Sequence, residues 1–188
     1  MIDDKSTQPD PVKEAFFQGE LLVYPTEAVM GIGCDPDNEM AVNQLLQLKK
    51  RAVEKGMILV ADTYSRLLPY VNDNAVAPAM RAEIFSSWPG HHTWLLPKSA
   101  HAPSWITGEH EKIAVRVSAH PVVRELCARL GKPLVSTSAN PSGLAPATSL
   151  DEAKAYFKDH VVYVEGDVGN AQKPSTIRDC DSGKIIRD

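Results

Sequence analysis

The sequence predicts a single α/β domain built on a mixed sheet. Three observations predict it. Short apolar runs of strand length alternate with segments of helical period along most of the chain. The 188 residues suit one domain and can bury a core without staples. No repeat, low-complexity tract or linker divides them.

The elements follow in order. Leu21–Tyr24 is an apolar run closed by Pro25 and reads as a strand. Asp37 is placed to cap a helix from about Asn38 to Lys50, whose apolar face is Val42, Leu45 and Leu46. Met57–Ala61 reads as a buried strand, and strand, helix and strand together read as a βαβ unit. Thr63–Trp88 reads as helical in two pieces, punctuated by Pro69 and Pro78. Pro89-Gly90 is a break, Thr93–Leu96 reads as extended, and Ala100–Lys112 as loop. Ile113–Ser118 alternates as a strand does. Pro121 suits a first helical turn, Val123, Leu126, Cys127 and Leu130 give the helical stripe, and Gly131 stops it. With the strand Leu134–Ser136 this makes a second βαβ unit. Ser149 and Glu152 form a capping box for a helix through Phe157. Val161–Val164, Ser175–Asp179 and Lys184–Arg187 read as late strands, the last two joined by a hairpin loop at 180–183.

Composition narrows the function. Cys34, Cys127 and Cys180 are odd in number and never at metal-ligand spacing, which predicts a reducing, cytoplasmic setting with no disulfide framework and no structural metal. Met1–Asp10 lacks the charged start and apolar core of a signal peptide. No apolar run approaches a membrane span. A net charge of −4 argues against a surface devoted to nucleic acid. It leaves room for a local basic patch at Lys49, Lys50, Arg51 and Lys55.

That patch is the first candidate site. Basic residues at a helix C-terminus also offset its dipole, worth roughly 0.3–1 kcal/mol each. Lys49 departs from that plain role, because it continues the stripe of Val42, Leu45 and Leu46 and must snorkel or enter a cleft. The second candidate is the loop Ser136–Gly143, whose hydroxyl, amide and backbone N–H groups suit phosphate oxygens. Asn140-Pro141-Ser142-Gly143 is equally good turn chemistry. The third, Tyr24-Pro25-Thr26-Glu27-Ala28 with Gly31 and Gly33, reads first as a glycine-permitted turn, with Thr26 able to offer a hydroxyl. His91-His92 is a poor metal pair, since neighbours on a strand face opposite ways. No nucleophile has a base beside it in the sequence, which suits a reaction carried by positioning and charge.

In their order and spacing these segments resemble the short form of the YrdC family. The carriers are Tyr-Pro-Thr-Glu-Ala at 24–28, Gly-Ile-Gly-Cys-Asp-Pro-Asp at 31–37, Leu-Lys-Lys-Arg at 48–51 and Lys55-Gly56. Trp88-Pro89-Gly90, Ala-Val-Arg-Val at 114–117, Ser-Thr-Ser-Ala-Asn-Pro-Ser-Gly at 136–143 and Pro-Ser-Thr-Ile-Arg-Asp at 174–179 complete the set. The resemblance implies one YrdC-like domain over 1–188, its core from about residue 12. It implies an open, twisted, mixed sheet over a positive cavity. It further implies an enzyme that joins L-threonine, bicarbonate and ATP into threonylcarbamoyl-AMP and pyrophosphate. Partner proteins then transfer the threonylcarbamoyl group to tRNA.

The family's Lys-x-Arg and Ser-x-Asn pairs fall on Lys49, Arg51, Ser138 and Asn140 as catalytic residues. Lys55 and Pro146 join them at ATP, and Thr26, Thr93, Arg116, Ser136 and Ser175 fall at threonine. Mg²⁺ is expected to arrive with the nucleotide, with no protein-bound structural metal. Two positions depart from the family: Ala52 and His91 stand where proline is usual. Two other readings compete. A non-catalytic RNA-binding or ribosome-maturation module would use the basic cluster, but aromatics are only 6% of the chain, too few for stacking platforms. A related carbamoyl-transfer chemistry would come with zinc-binding and acylphosphatase-like parts that this sequence lacks.

Overall fold

The computed structural model describes residues 9–188. Nine strands form one sheet in the order β7-β1-β2-β6-β3-β5-β4-β8-β9. They are β1 (Leu22–Pro25), β2 (Met30–Gly33), β3 (Ile58–Ala61), β4 (His92–Pro97) and β5 (Lys112–Val117). Then follow β6 (Leu134–Ser138), β7 (Val162–Tyr163), β8 (Thr176–Asp179) and β9 (Ile185–Arg187). The helices are α1 (Pro11–Phe17), α2 (Glu39–Lys49), α3 (Pro78–Ser86), α4 (Ser104–Thr107), α5 (Pro121–Leu130) and α6 (Leu150–Phe157). The mixed α/β architecture is the one expected. Among the described residues no helix is long and apolar enough to cross a membrane.

The connections differ from expectation. β3 pairs parallel with β5 and antiparallel with β6, so β5 and β6 flank β3 pointing opposite ways. The expected second βαβ unit is therefore an antiparallel crossover. The first is replaced by β2-α2-β3, with β6 running antiparallel between its two strands. The sequence hid β2 because Gly31 and Gly33 read as turn residues. They are strand residues without side chains because Tyr24 lies across them: a Cβ on Gly33 would stand 1.6 Å from the Val135 carbonyl oxygen and 2.9 Å from Tyr24 Oη.

Other boundaries also move. Asn38, not Asp37, caps α2, its side chain accepting from the Ala41 N–H; Asp37 accepts from the Tyr70 hydroxyl instead. The 63–88 segment is three short 3-10 turns followed by α3. α1, capped by Asp10 with Pro11 in its first turn, and α4, inside the stretch read as loop, were not anticipated. α5 has the predicted first-turn proline, stripe and glycine stop, and α6 the predicted Ser149 cap.

Helices cover the two faces unequally. α2, α3, α4 and α6 bury one face through Leu45, Leu59, Trp94, Val115, Val135 and Phe157. On the other, α1 and α5 cover only part, packing Phe16, Leu126 and Leu130 on Leu22, Tyr24, Val60 and Leu134. Ile58 pairs with Ser136 and with Ala114, and Ala114 with Leu95, so these four share that second face. Alternation adds Ser138, Arg116 and Thr93. This uncovered stretch is the floor of the candidate site.

Candidate functional site

Lys49 and Arg51 reach the floor because of how α2 ends. Lys50 adopts a left-handed conformation (φ 50°), with its N–H bonded to Gln47 and that of Arg51 to Leu46. This is the usual helix stop with lysine in the place that favours glycine, at a cost of roughly 1–2 kcal/mol. It separates the directions of the two flanking cations. Lys49 stays on the buried stripe at 5% exposure, as its register predicts. Its ammonium donates to the Ser138 carbonyl, to the Asn140 carbonyl (3.1 Å) and to Asn140 Oδ1 (3.3 Å). Burial, then the nearby Arg51 charge, pulls its pKa from 10.5 down to about 8. Arg51 donates through Nη2 to the Gly56 carbonyl at 3.1 Å, and burial lowers its pKa too. Its Nε is buried without an acceptor among the described residues.

The 136–143 loop is tied at its base. Ala139 N–H donates to Met30 and Asn140 N–H to Ser138, so these amides are committed. Ser142, Gly143 and Ala145 N–H groups have no acceptor among the described residues. The loop therefore offers fewer free donors than its composition suggests. Ser138 Oγ donates to Asn140 Oδ1 at 2.6 Å, and Asn140 Nδ2 donates to Pro141 and Leu144 carbonyls, fixing the amide's orientation. Pro146 is exposed and precedes Ala147, which is stitched to Ala139 and Met30.

A second cluster lies across the floor. Arg116, 5% exposed, donates through Nη1 to Glu27 Oε2. Glu27 also accepts from Ser118 Oγ and from the His120 N–H (3.2 Å), and His91 Nδ1 lies 3.2 Å from its Oε2. Arg116 Nε is buried without an acceptor among the described residues, so one edge of the guanidinium is uncommitted. Thr93 Oγ1 and Ser175 Oγ are 2.8 Å apart, and Arg187 Nη2 donates to the Ser175 carbonyl at 3.0 Å. Thr26 Oγ1 donates to the Val29 carbonyl at 2.6 Å, so its hydroxyl is committed as a donor and keeps its lone pairs. Ser136 is buried beneath.

A cavity of about 490 Å³ opens beside Arg51, and of the predicted residues only Arg51 and Lys55 line it. Arg51, Lys55 and Arg187 supply charge at its rim, and Ile58, Leu95 and Ile177 are among its apolar lining. Lys55 is exposed there. A larger cavity, about 610 Å³, is lined by Asp37, Tyr70 and Lys132 and contains none of the predicted residues. The predicted residues thus gather on one open face, in two groups: Lys49, Ser138 and Asn140 on one side, Arg116, Thr93 and Ser175 on the other. Sequence reasoning missed Glu27, Ser118, His120 and Arg187. Glu27 stood inside a quoted segment, but its partners are 64 to 93 positions away in the chain. Arg187 is drawn down in pKa by burial and by Arg51, which marks it as part of the same positive field.

Among the described residues Asp179, Cys180 and Asp181 alone could group as metal ligands, and Lys112 already pairs with both carboxylates.

The Sua5/YciO/YrdC family model, described as "Telomere recombination", matches residues 14–188. The chain belongs to the Sua5/YciO/YrdC family. It is 59% identical over 179 residues to a threonylcarbamoyl-AMP synthase of Pseudoalteromonas atlantica, covering 95% of this chain and 96% of that one. It is 46% identical over 187 residues to a threonylcarbamoyl-AMP synthase of Photorhabdus laumondii, covering 100% and 99%. Among solved structures, P. abyssi Sua5 complexed with L-threonine superposes with a TM-score of 0.83 at 28% identity. That match covers 94% of this chain but 53% of the other, so this chain spans about half the length of that Sua5. E. coli YciO shares the fold, with a TM-score of 0.80 over 94% of this chain and 86% of that one at 24% identity.

Proposed function

We propose that this member of the Sua5/YciO/YrdC family is a threonylcarbamoyl-AMP synthase, a nucleotidyltransferase that joins L-threonine, bicarbonate and ATP and releases pyrophosphate. The observation that carries this reading is the pairing, on one open sheet face, of two separated cationic sites. Lys49 meets the Ser138–Asn140 loop at one, and buried Arg116 faces Thr93 and Ser175 at the other. A substrate with a triphosphate and a substrate with one carboxylate need that division.

The roles follow from chemistry. Threonine's amine adds to bicarbonate, water leaves, and a carbamate forms. A carbamate oxygen then attacks the α-phosphorus of ATP and the bond to the bridging oxygen of pyrophosphate breaks. Negative charge gathers in both steps. Lys49 and Arg51 neutralise it, Arg51 through its uncommitted edge. Ser138, Asn140 and the free N–H groups at 142, 143 and 145 hold the triphosphate, with Pro146 shaping the loop's exit and Lys55 at the rim. The apolar cavity wall suits a nucleobase. Arg116 pairs the threonine carboxylate, while Thr26, Thr93, Ser136 and Ser175 surround its hydroxyl and amine. Mg²⁺ enters as part of the nucleotide substrate. Proximity and preorganised charge supply the catalysis. A cytoplasmic setting, with tRNA and threonylcarbamoyl-transfer proteins downstream, belongs to the same proposal.

Pyrophosphate release is the test. It should require threonine, bicarbonate and ATP together, and fall sharply with serine in place of threonine. Release independent of threonine, or salt-sensitive tRNA binding with no release at all, would overturn the assignment.

A further inference from the structure

The Glu27–Arg116 pair poses a problem that the proposed chemistry does not solve by itself. Arg116 is buried, and a carboxylate already holds its Nη1. If Glu27 could swing, it would cover the guanidinium edge that the substrate carboxylate needs. Besides Arg116, two donors and the His91 ring hold Glu27. Ser118 Oγ and the His120 N–H hold Oε1, and both belong to the end of β5 and the entry to α5. Oε2, the oxygen shared with Arg116, has one other neighbour of this kind, His91.

His91 is well placed to restrain it. Its Nε2 lies 2.7 Å from the Lys173 carbonyl, an oxygen that only accepts, so Nε2 carries a hydrogen. Its Nδ1 faces Glu27 Oε2 at 3.2 Å and Arg116 Nη1 at 3.4 Å. Nδ1 thus sits against both members of the Glu27–Arg116 pair, while Nε2 is tied to Lys173. The ring bridges Glu27 to the strap 165–174 that connects β7 to β8. The strap itself is stitched to the turn bearing Glu27: Gly169 N–H donates to Thr26 and Ala171 N–H to Glu27, and His120 Nε2 donates to the Asp167 carbonyl. Gly169 permits this approach, since a Cβ there would lie 2.6 Å from the Glu27 carbonyl oxygen.

We propose that His91 is a positioning residue for Arg116: its Nδ1, held against both Glu27 Oε2 and Nη1, pins the two side chains together and keeps the other guanidinium edge turned toward the substrate carboxylate. The proposal rests on the assignment of Arg116 to threonine. His91 touches no substrate and acts only through the Glu27–Arg116 pair.

Its two ring nitrogens can be separated by substitution. An asparagine amide nitrogen falls near the position of Nδ1, and a glutamine amide nitrogen near that of Nε2. In steady-state assays of the purified protein, His91→Ala should raise the KM for threonine at least tenfold, the scale of one charge-assisted hydrogen bond. The KM for ATP and kcat should stay within about threefold. His91→Asn should restore the threonine KM to within about threefold of the wild type. His91→Gln should not, although it keeps hydrogen-exchange protection of the 165–174 amides. An unchanged threonine KM in His91→Ala would overturn the proposal. So would equal rises in both KM values, or rescue by Gln and not Asn, which would move the effect to the strap. Calorimetric titration of threonine into the same variants reads the contact without turnover. A wild type that binds threonine tightly but forms no threonylcarbamoyl-AMP would instead sink the proposed function while leaving the His91 contact testable. A wild type that binds no threonine would sink both.

Discussion

Lys49→Met removes one charge and keeps most of the stem that packs beneath the loop. Two effects on stability oppose each other. Burial and Arg51 lower the lysine's pKa from 10.5 to about 8, which corresponds to about 3 kcal/mol of cost for holding it charged at neutral pH. Against that stand the three contacts from Nζ to Ser138 and Asn140, each a hydrogen bond from a charged group worth roughly 1.5–3 kcal/mol before the acceptors regain water. The contacts sum to roughly 4.5–9 kcal/mol against a cost of about 3, so Lys49→Met should lose about 1.5 kcal/mol or more of stability and melt several degrees lower, while still folding cooperatively. Catalysis has no such compensation. Loss of one preorganised charge at the site of developing negative charge costs about 2.7–4 kcal/mol, a drop of roughly 10²–10³ in kcat. Continuous detection of pyrophosphate with saturating threonine, bicarbonate and ATP reads the rate, and circular dichroism melts read the fold. A cooperatively folded Lys49→Met protein that turns over within about fivefold of the wild type would refute the role given to this ammonium.

Three further outcomes follow from named contacts. Arg116→Lys keeps a charge for Glu27 but loses the planar fork, so the KM for threonine should rise at least tenfold with little change in Tm; an unchanged threonine KM would remove Arg116 from that site. Gly33→Ala would drive a methyl onto the Val135 carbonyl and the Tyr24 hydroxyl, so β2 and β6 must part, and urea denaturation should show a loss of at least about 3 kcal/mol. The depressed Lys49 also makes a pH prediction. Between about pH 8 and 10.5 the unfolded chain holds a proton at this position that the folded chain has lost, so wild-type stability should rise with pH across that window. Measured against Lys49→Met, the gain should total up to about 3 kcal/mol, and a flat difference would contradict the burial argument.

Much of this was legible in the sequence, and the gaps have physical causes. α5 and α6 carry their own stops, caps and stripes, so local signals were enough to place them. Lys49 was legible for the same reason: its register put a charge on an apolar stripe. Strand direction is not local. Nothing in Leu134–Ser138 says that it inserts antiparallel between β2 and β3, so both expected βαβ units failed. β2 was missed because Gly31 and Gly33 answer to Tyr24, a constraint visible only once the strands pair. α1 has its signal, Asp10 followed by Pro11, but the polar stretch before it masks that signal. The resemblance to the YrdC family supplied the substrates and the threonine-side residues, which no periodicity could. The hub at Glu27 emerged only from distance, since His91 and the stretch bearing Arg116, Ser118 and His120 converge on it from two separate segments.

The central claim is that the two cationic sites bring threonine, bicarbonate and ATP to one reaction. Mass spectrometry of a reaction containing only the purified protein, the three substrates and Mg²⁺ tests it most directly. Threonylcarbamoyl-AMP should appear, with ¹³C from labelled bicarbonate at its carbamoyl carbon. ATP consumed with no such labelled adduct, or no ATP consumed at all, would contradict the account.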